Sequence, residues 1–389
     1  MLSWAMDSSR VEGFLHNPPI VLFFLTLIAA FGFWGVSALV RSYDARQQSL
    51  AVQLFQEGEV ERHSGLAKPA VASLRAALTY DPENYQYQLS LAEALADAGS
   101  YEEAKSYLLS LWERVPQDGE VNLQLGRMAA REGNVNGILR YYHNAMYGIW
   151  PSNADVKRRQ TRFELINVLL QHQQVEQAQS ELIALAAVLP PDPTQHLQTA
   201  DLFGRAGDYR DALRQYQDVL RLDRRNPAAL VGAGKAAFEL EDYRTAERYL
   251  QGAKQLRALE PQDQELLHTA SLILEYDPYR RNLSAAERHR RARAAFQQAK
   301  TRLQACAQAD GEDLNATPPS TPLQNLQADW QKLKPKLRSG RSPMNFETVD
   351  QTMNLVFRIE QQTQKQCGNP QGFDLALLLM AGNREGADK

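Results

Sequence analysis

The sequence predicts an all-α chain: a solenoid of six to seven stacked helix-turn-helix repeats, preceded by one transmembrane helix and followed by a helical C-terminal cap. Two observations predict it. The signature Ala-x-x-x-(Leu/Tyr)-x-x-(Ala/Leu/Val) begins at Ala70, Ala104, Ile138, Ala178, Ala212 and Ala246, a step of 34 residues broken by one six-residue insertion. Self-similarity at that length means stacked helix pairs, since one pair cannot bury its own apolar face. Pro19 to Val40 is a 22-residue run without a charge. At 1.5 Å per residue such a run spans about 30 Å, the hydrocarbon thickness of a bilayer.

Taken in order, residues 1–18 form an N-terminal flank and 19–40 the anchor. The run is too long for a secretory h-region and lacks a positive segment before it, although Val36-Ser37-Ala38 leaves a cleaved signal peptide as a second reading. Orientation has two readings as well. Arg41 and Arg46 after the span, against Arg10 among Asp7 and Glu12 before it, lean towards a cytoplasmic body. A lone anchor ahead of one large body, with two cysteines placed to cross-link, favours a body exported across a bacterial inner membrane.

Residues 51–260 hold six repeats. Each reads as two amphipathic helices with apolar residues at i, i+3, i+4 and i+7. Turns such as Ala98-Gly99-Ser100 and Ala206-Gly207-Asp208 supply the glycine that a left-handed backbone favours. Small residues, Gly234 and Ala246 among them, mark the close approach of the two helices, and Pro82, Pro116 and Pro190 end second helices. The third repeat is degenerate, with Gly137 and Ile138 where a helix former and alanine are expected. The insertion after Tyr147-Gly-Ile-Trp150-Pro151 reads as a loop.

This pattern of spacing, small residues and terminal prolines resembles the tetratricopeptide repeat family over about residues 51–260. The resemblance implies a right-handed α-solenoid that holds a protein or peptide in its concave groove. In the family, positions 2, 5, 9, 12 and 13 line that groove. Position 9 here holds Glu59, Glu93, Arg127, Asn167, Asp201 and Lys235, so the Lys/Asn set that captures a C-terminal carboxylate is missing. Position 5 holds Phe55, Leu89, Leu123, Phe163, Leu197 and Val231. That stripe either packs between neighbouring first helices or receives an apolar segment, with Glu93, Arg127, Asp201, Arg205 and Lys235 setting polarity.

Residues 261–308 read as a seventh, degenerate repeat. Ala292, Phe296 and Ala299 restore the signature after a 12-residue insertion, and Ser284 to Glu287 reads as a capping box. Between Arg280 and Arg341 stand thirteen Lys/Arg against five Asp/Glu, a local +8 in a chain of net charge −3. The densest part, Arg288, Arg290, Arg291 and Arg293, is either a solvated helix face or a patch for an acidic protein or lipid. No aromatic residues interleave with it, which argues against nucleic acid. Residues 309–322 form a polar, proline-rich flexible linker, and 323–389 a helical extension that covers the last repeat.

The chemistry expected of enzymes does not surface. The seven histidines show no metal-ligand spacing, and no phosphate-binding loop or nucleophile motif occurs, so no catalytic residue, cofactor or metal is expected. Cys306 and Cys367 are either one disulfide or two unrelated thiols. The sequence reading is therefore a non-enzymatic, membrane-tethered interaction scaffold. Its alternatives are an assembly factor for an envelope pathway, such as cytochrome maturation or outer-envelope biogenesis, and an accessory subunit of a membrane enzyme. The oligomeric state is open.

Overall fold

The computed structural model describes residues 18–338 and 345–387; residues 1–17, most of the N-terminal flank, lie outside them. Among the described residues stand seventeen helices and one isolated β-bridge, an all-α solenoid of stacked helix pairs. The chain divides into two compact units, Met1–Leu165 and Ile166–Lys389.

The first unit begins with α1 (Pro18–His63), whose last turns are the first helix of the first repeat. It continues with α2 (Ala67–Tyr80), α3 (Tyr85–Asp97), α4 (Tyr101–Arg114), α5 (Gly119–Arg131) and α6 (Val135–Tyr147), and with the start of α7 (Ala154–Gln171). The second unit takes the end of α7, then α8 (Val175–Ala186), α9 (Pro193–Arg205), α10 (Tyr209–Leu222), α11 (Pro227–Glu239), α12 (Tyr243–Gln255), α13 (Pro261–Tyr276) and α14 (Ala285–Ala309). Three more helices follow: α15 (Pro322–Arg338), α16 (Phe346–Cys367) and α17 (Gly372–Ala387).

The signature is the core of the second helices. All three of its positions are buried in every copy, from Ala70, Leu74 and Ala77 to Ala246, Leu250 and Ala253, and so are Ala292, Phe296 and Ala299 on α14. The large middle residue needs a hole in the partner helix. A Cβ on Gly58 would lie 2.6 Å from Leu74, one on Gly126 2.7 Å from Tyr142, and one on Gly234 2.6 Å from Leu250. Turns between paired helices recur at one repeat position. Gly65, Gly99, Gly133 and Gly207 take positive φ there, and so do Gln173 (φ 59°) and Glu241 (φ 61°), which carry a Cβ in a conformation that disfavours it.

The first helices α3, α5 and α11 start on side-chain caps. Asn84 accepts from Tyr87 N, Asp118 from Val121 N and Asn226 from Ala229 N. Pro193, Pro227 and Pro261 occupy first helical turns, where the missing amide costs nothing. The third repeat is a complete helix pair, α5 and α6, despite its departures from the pattern. Gly137 is what α5 requires, since a Cβ there would stand 2.9 Å from that of Ala129, and Ile138 is fully buried.

Two sequence expectations change. Most of the six-residue insertion is helix, not loop: it lengthens α7 to 18 residues, against 13 for α5 or α9. Residues 310–321 are non-helical but tied down, not a free linker. Gln324 accepts from Ser320 N and donates to Asp313 O, and Thr321 donates to Glu312. Beyond them α15, α16 and α17 share one core with α13 and α14, in which Trp330 stacks on Phe296 with ring centroids 4.9 Å apart.

Candidate functional site

The first helices of the first unit enclose a cleft of about 680 Å³, within the size range of ligand clefts. Its base holds Leu89 and Leu123, 5% and 6% exposed. Arg62 ends one wall on α1, and Gln160 and Glu164 form the opposite wall on α7. Trp150 closes one end. The extended residues that carry it pair with the segment before α5, Gly119 N donating to Ile149 O at 2.9 Å and Ile149 N to Gln117 O at 2.8 Å. Trp150 is 7% exposed and donates its indole N–H to Ala145 O. Gly119 must be glycine, because a Cβ would lie 2.4 Å from the Trp150 ring.

Charges in the cleft are arranged as bonds between successive first helices. Arg62 meets Glu93 at 3.2 Å, and Gln124 Nε2 donates to Glu93 at 2.8 Å. Burial raises the Glu93 pKa, with Arg62 opposing it. Arg127 holds Glu164 through two bonds of 2.7 Å, a bidentate pair that Tyr142 joins by donating its hydroxyl proton at 2.8 Å. Burial works to raise the Glu164 pKa, but Arg127 and Tyr142 outweigh it and the net shift is downward. Asp118 and Glu120 add two further carboxylates to the lining, and Lys157 lies 5.7 Å from the centroid of the Trp150 ring.

Of the groove residues expected from sequence, Leu89, Glu93, Leu123 and Arg127 are brought together here, with half-buried Phe163 on the same α7. Those of the second unit are engaged in separate pairs. Arg205 donates to Asn167 Oδ1 at 2.8 Å, Tyr216 donates to Asp201 at 2.6 Å, and Lys235 meets buried Asp263 at 2.7 Å. Leu197 and Val231 are half-buried. Sequence reasoning missed Arg62, Trp150, Gln160 and Glu164. Gln160 and Glu164 follow from the repeat register, whereas Trp150 stands 34 residues after Pro116, at the position where proline ends a second helix, and the pattern there gives no sign of a cleft wall.

The basic cluster is mostly internal bonding. Arg291 is 9% exposed and donates to Leu274 O and Asp277 O, each at 3.1 Å, and to Glu287 at 2.8 Å. Arg290 also pairs with Glu287, whose pKa falls to about 2 under these bonds, and Arg293 donates to Leu337 O. Arg288 is half-buried. Ser284 caps Glu287 N at 3.1 Å as a capping box would, but the Glu287 side chain turns to the arginines instead of back to the cap. A continuous exposed patch is therefore not what these four residues form. Cys306 and Cys367 are bonded to each other, their Cα atoms 5.7 Å apart. Asp310 lies beside them, but neither sulfur is left as a thiolate for a metal.

Helix pairs of this length, stacked on a buried small-large-small signature, define a class of all-α repeat protein whose concave face binds polypeptide. Tetratricopeptide repeat models match residues 63–125 and 197–261, so the chain carries tetratricopeptide repeats in both units. It is similar to the putative cellulose synthase operon protein C of Escherichia coli O157:H7, 26% identical over 201 residues, 49% of this chain and 17% of that protein. The chain thus spans about a sixth of the curated relatives it matches. Among solved structures it is similar to pilF of Pseudomonas aeruginosa, with 20% identity, coverage of 56% and 97% of the two chains and a TM-score of 0.40. YrrB, described as a tetratricopeptide protein with an unusual peptide-binding site, gives 17% identity, coverage of 51% and 97%, and a TM-score of 0.38.

Proposed function

We propose that this chain is a non-enzymatic, membrane-tethered scaffold that binds a segment of a protein partner in the cleft of its first unit. One observation carries the reading: Trp150 and an α7 wall lengthened by the six-residue insertion close a cleft in which Leu89, Glu93, Leu123 and Arg127 meet. The anchor rests on residues 19–40 of α1, an apolar stretch long enough to cross a bilayer and not buried in the protein. The body stands on the exported side of a bacterial inner membrane. The bond between Cys306 and Cys367 supports that side, because disulfides persist in oxidising compartments. A role in envelope assembly is the narrower form of this reading, and the operon named for the curated relatives points the same way.

The test uses the full chain in cross-linked membranes. Gln160 and Ser152 are exposed cleft residues, and replacing both with arginine fills the cleft without touching the core. A specific partner recovered with the wild type is expected to disappear with Q160R/S152R. Its undiminished recovery would place binding elsewhere. Labelling of the cysteines by an impermeant thiol reagent in spheroplasts, only after reduction, is the outcome expected for an exported body.

A further inference from the structure

The helix that carries the anchor is also a wall of the cleft. α1 runs unbroken for 46 residues, from Pro18 to His63. Its anchor part exposes large apolar side chains all round, Phe31, Phe33, Trp34 and Leu39 each above 70%. A face of that extent needs an apolar medium to cover it. Residues 41–50 then continue the helix with no packing against the rest of the unit, all but half-buried Gln47 being exposed. Neither proline nor glycine occurs between Gly35 and Gly58 to make a hinge. From Ala51 onward the same helix is built into the repeats. Ala51 is buried, Phe55 stacks on Tyr87 with ring centroids 4.6 Å apart, and Arg62 is ion-paired to Glu93 inside the cleft.

We infer that the first-unit cleft is a docking site for an extended segment of another integral membrane protein, presented at a height and direction fixed by α1. The inference rests on the tethered reading above and adds the class of partner. A tether needed only for localisation works as a flexible linker, whereas a continuous helix sets distance and azimuth. Val40 and Arg62 are 22 residues apart, which at the helical rise is about 33 Å along the axis. A chain leaving the bilayer fully extended covers that distance in about ten residues. Both partners are then confined to the membrane plane, and binding gains from effective concentration without added contacts. The lining also states what the segment carries. Arg62 and Arg127 are already paired with Glu93 and Glu164; of the remaining lining charges Asp118, which also caps Val121 N, and Glu120 outnumber Lys157 and favour a lysine or arginine on the segment, and the Leu89–Leu123 base favours an apolar neighbour.

The test is a helix-phasing experiment on the full chain in native membranes, with a benzophenone amino acid at Gln160 as probe. Inserting two alanines after Ala45 turns the body by about 200° and lifts it by about 3 Å; inserting seven restores the azimuth to within about 20°. The expected adduct resists alkaline extraction, as an integral membrane protein does. Its yield is expected to fall about fivefold or more with the two-residue insertion and to recover in part with the seven-residue one. Circular dichroism of each variant checks that the body stays folded. An adduct with an extractable protein, or one whose yield ignores the two-residue insertion, overturns this inference and leaves the scaffold reading intact. No adduct from the wild-type helix overturns both.

Discussion

The two units use one repeat and put it to different ends. In the first, positions 5 and 9 open onto a cleft, because Trp150 and the lengthened α7 wall it in. In the second, position 9 holds Asn167, Asp201 and Lys235, each bonded to a nearby side chain as Glu93 and Arg127 are in the first, so the difference lies in the walls and not in the charge pairing. The second unit instead spends its extra sequence on closure. Arg291 joins α14 to carbonyls at the end of α13, the Cys306–Cys367 bond joins α14 to α16, and α17 packs into the shared core. The period specifies the scaffold, and the departures from it decide whether a face is left open or sealed.

The contrast can be broken from the sealing side first. The disulfide closes a loop of 61 residues, for which the chain-entropy model gives about 4 kcal/mol. A Cys306→Ser/Cys367→Ser double variant is expected to lose about that much stability in the second unit, with protection in α14 and α16 falling in hydrogen exchange. Protection of α3 and α5 is expected to stay as it was.

Opening the cleft is the next largest effect. Trp150→Ala removes a buried indole from Gly119 and is expected to cost about 3 kcal/mol in denaturant unfolding. It would also unseat the strand-like pairing at Gly119 and Ile149, and partner recovery falls with it.

The sealed core contains one cost of its own. Glu360 on α16 is fully buried and neither carboxylate oxygen has a hydrogen-bond partner. Burial first, then Asp374, raises its pKa to about 8, with Arg302 opposing. The folded state therefore holds a proton that the unfolded chain releases near its ordinary value. Stability from this group is complete below about pH 4.5, declines as pH rises towards 8 and is level above. Glu360→Met is expected to remove that decline and to stabilise the protein by about 2 kcal/mol at pH 8.5, read as Tm against pH.

The smallest effect tests the turns that both designs share. Gln173 and Glu241 sit in the left-handed conformation that glycine fills at Gly65, Gly99, Gly133 and Gly207. Gln173→Gly and Glu241→Gly are each expected to gain about 0.5 kcal/mol, the relief of φ strain offset in part by unfolded-chain entropy.

These results show which parts of the molecule were legible in the sequence. Ala104, Leu108 and Leu111 recur as a set because a helix-pair core selects volume, so their burial could be read from spacing alone. Arg291 could not, since a run of arginines reads as solvent-facing until the carbonyls at Leu274 and Asp277 are placed beside it. Arg127 stands at a groove position, but Glu164 stands at position 6, outside the expected set, so their bond, 37 residues apart across the insertion, could not be read from the pattern. Trp150 keeps the 34-residue step from Pro116, but the period alone does not show that an indole there turns back onto Gly119.

The central claim is that the first unit's face is the open one. Benzophenone placed in parallel at Gln160 and at the matching second-unit positions, Thr194 and Ala228, tests it directly in native membranes. The account predicts a specific protein adduct from Gln160 and none from Thr194 or Ala228. An adduct from the second-unit positions with none from Gln160 would contradict it.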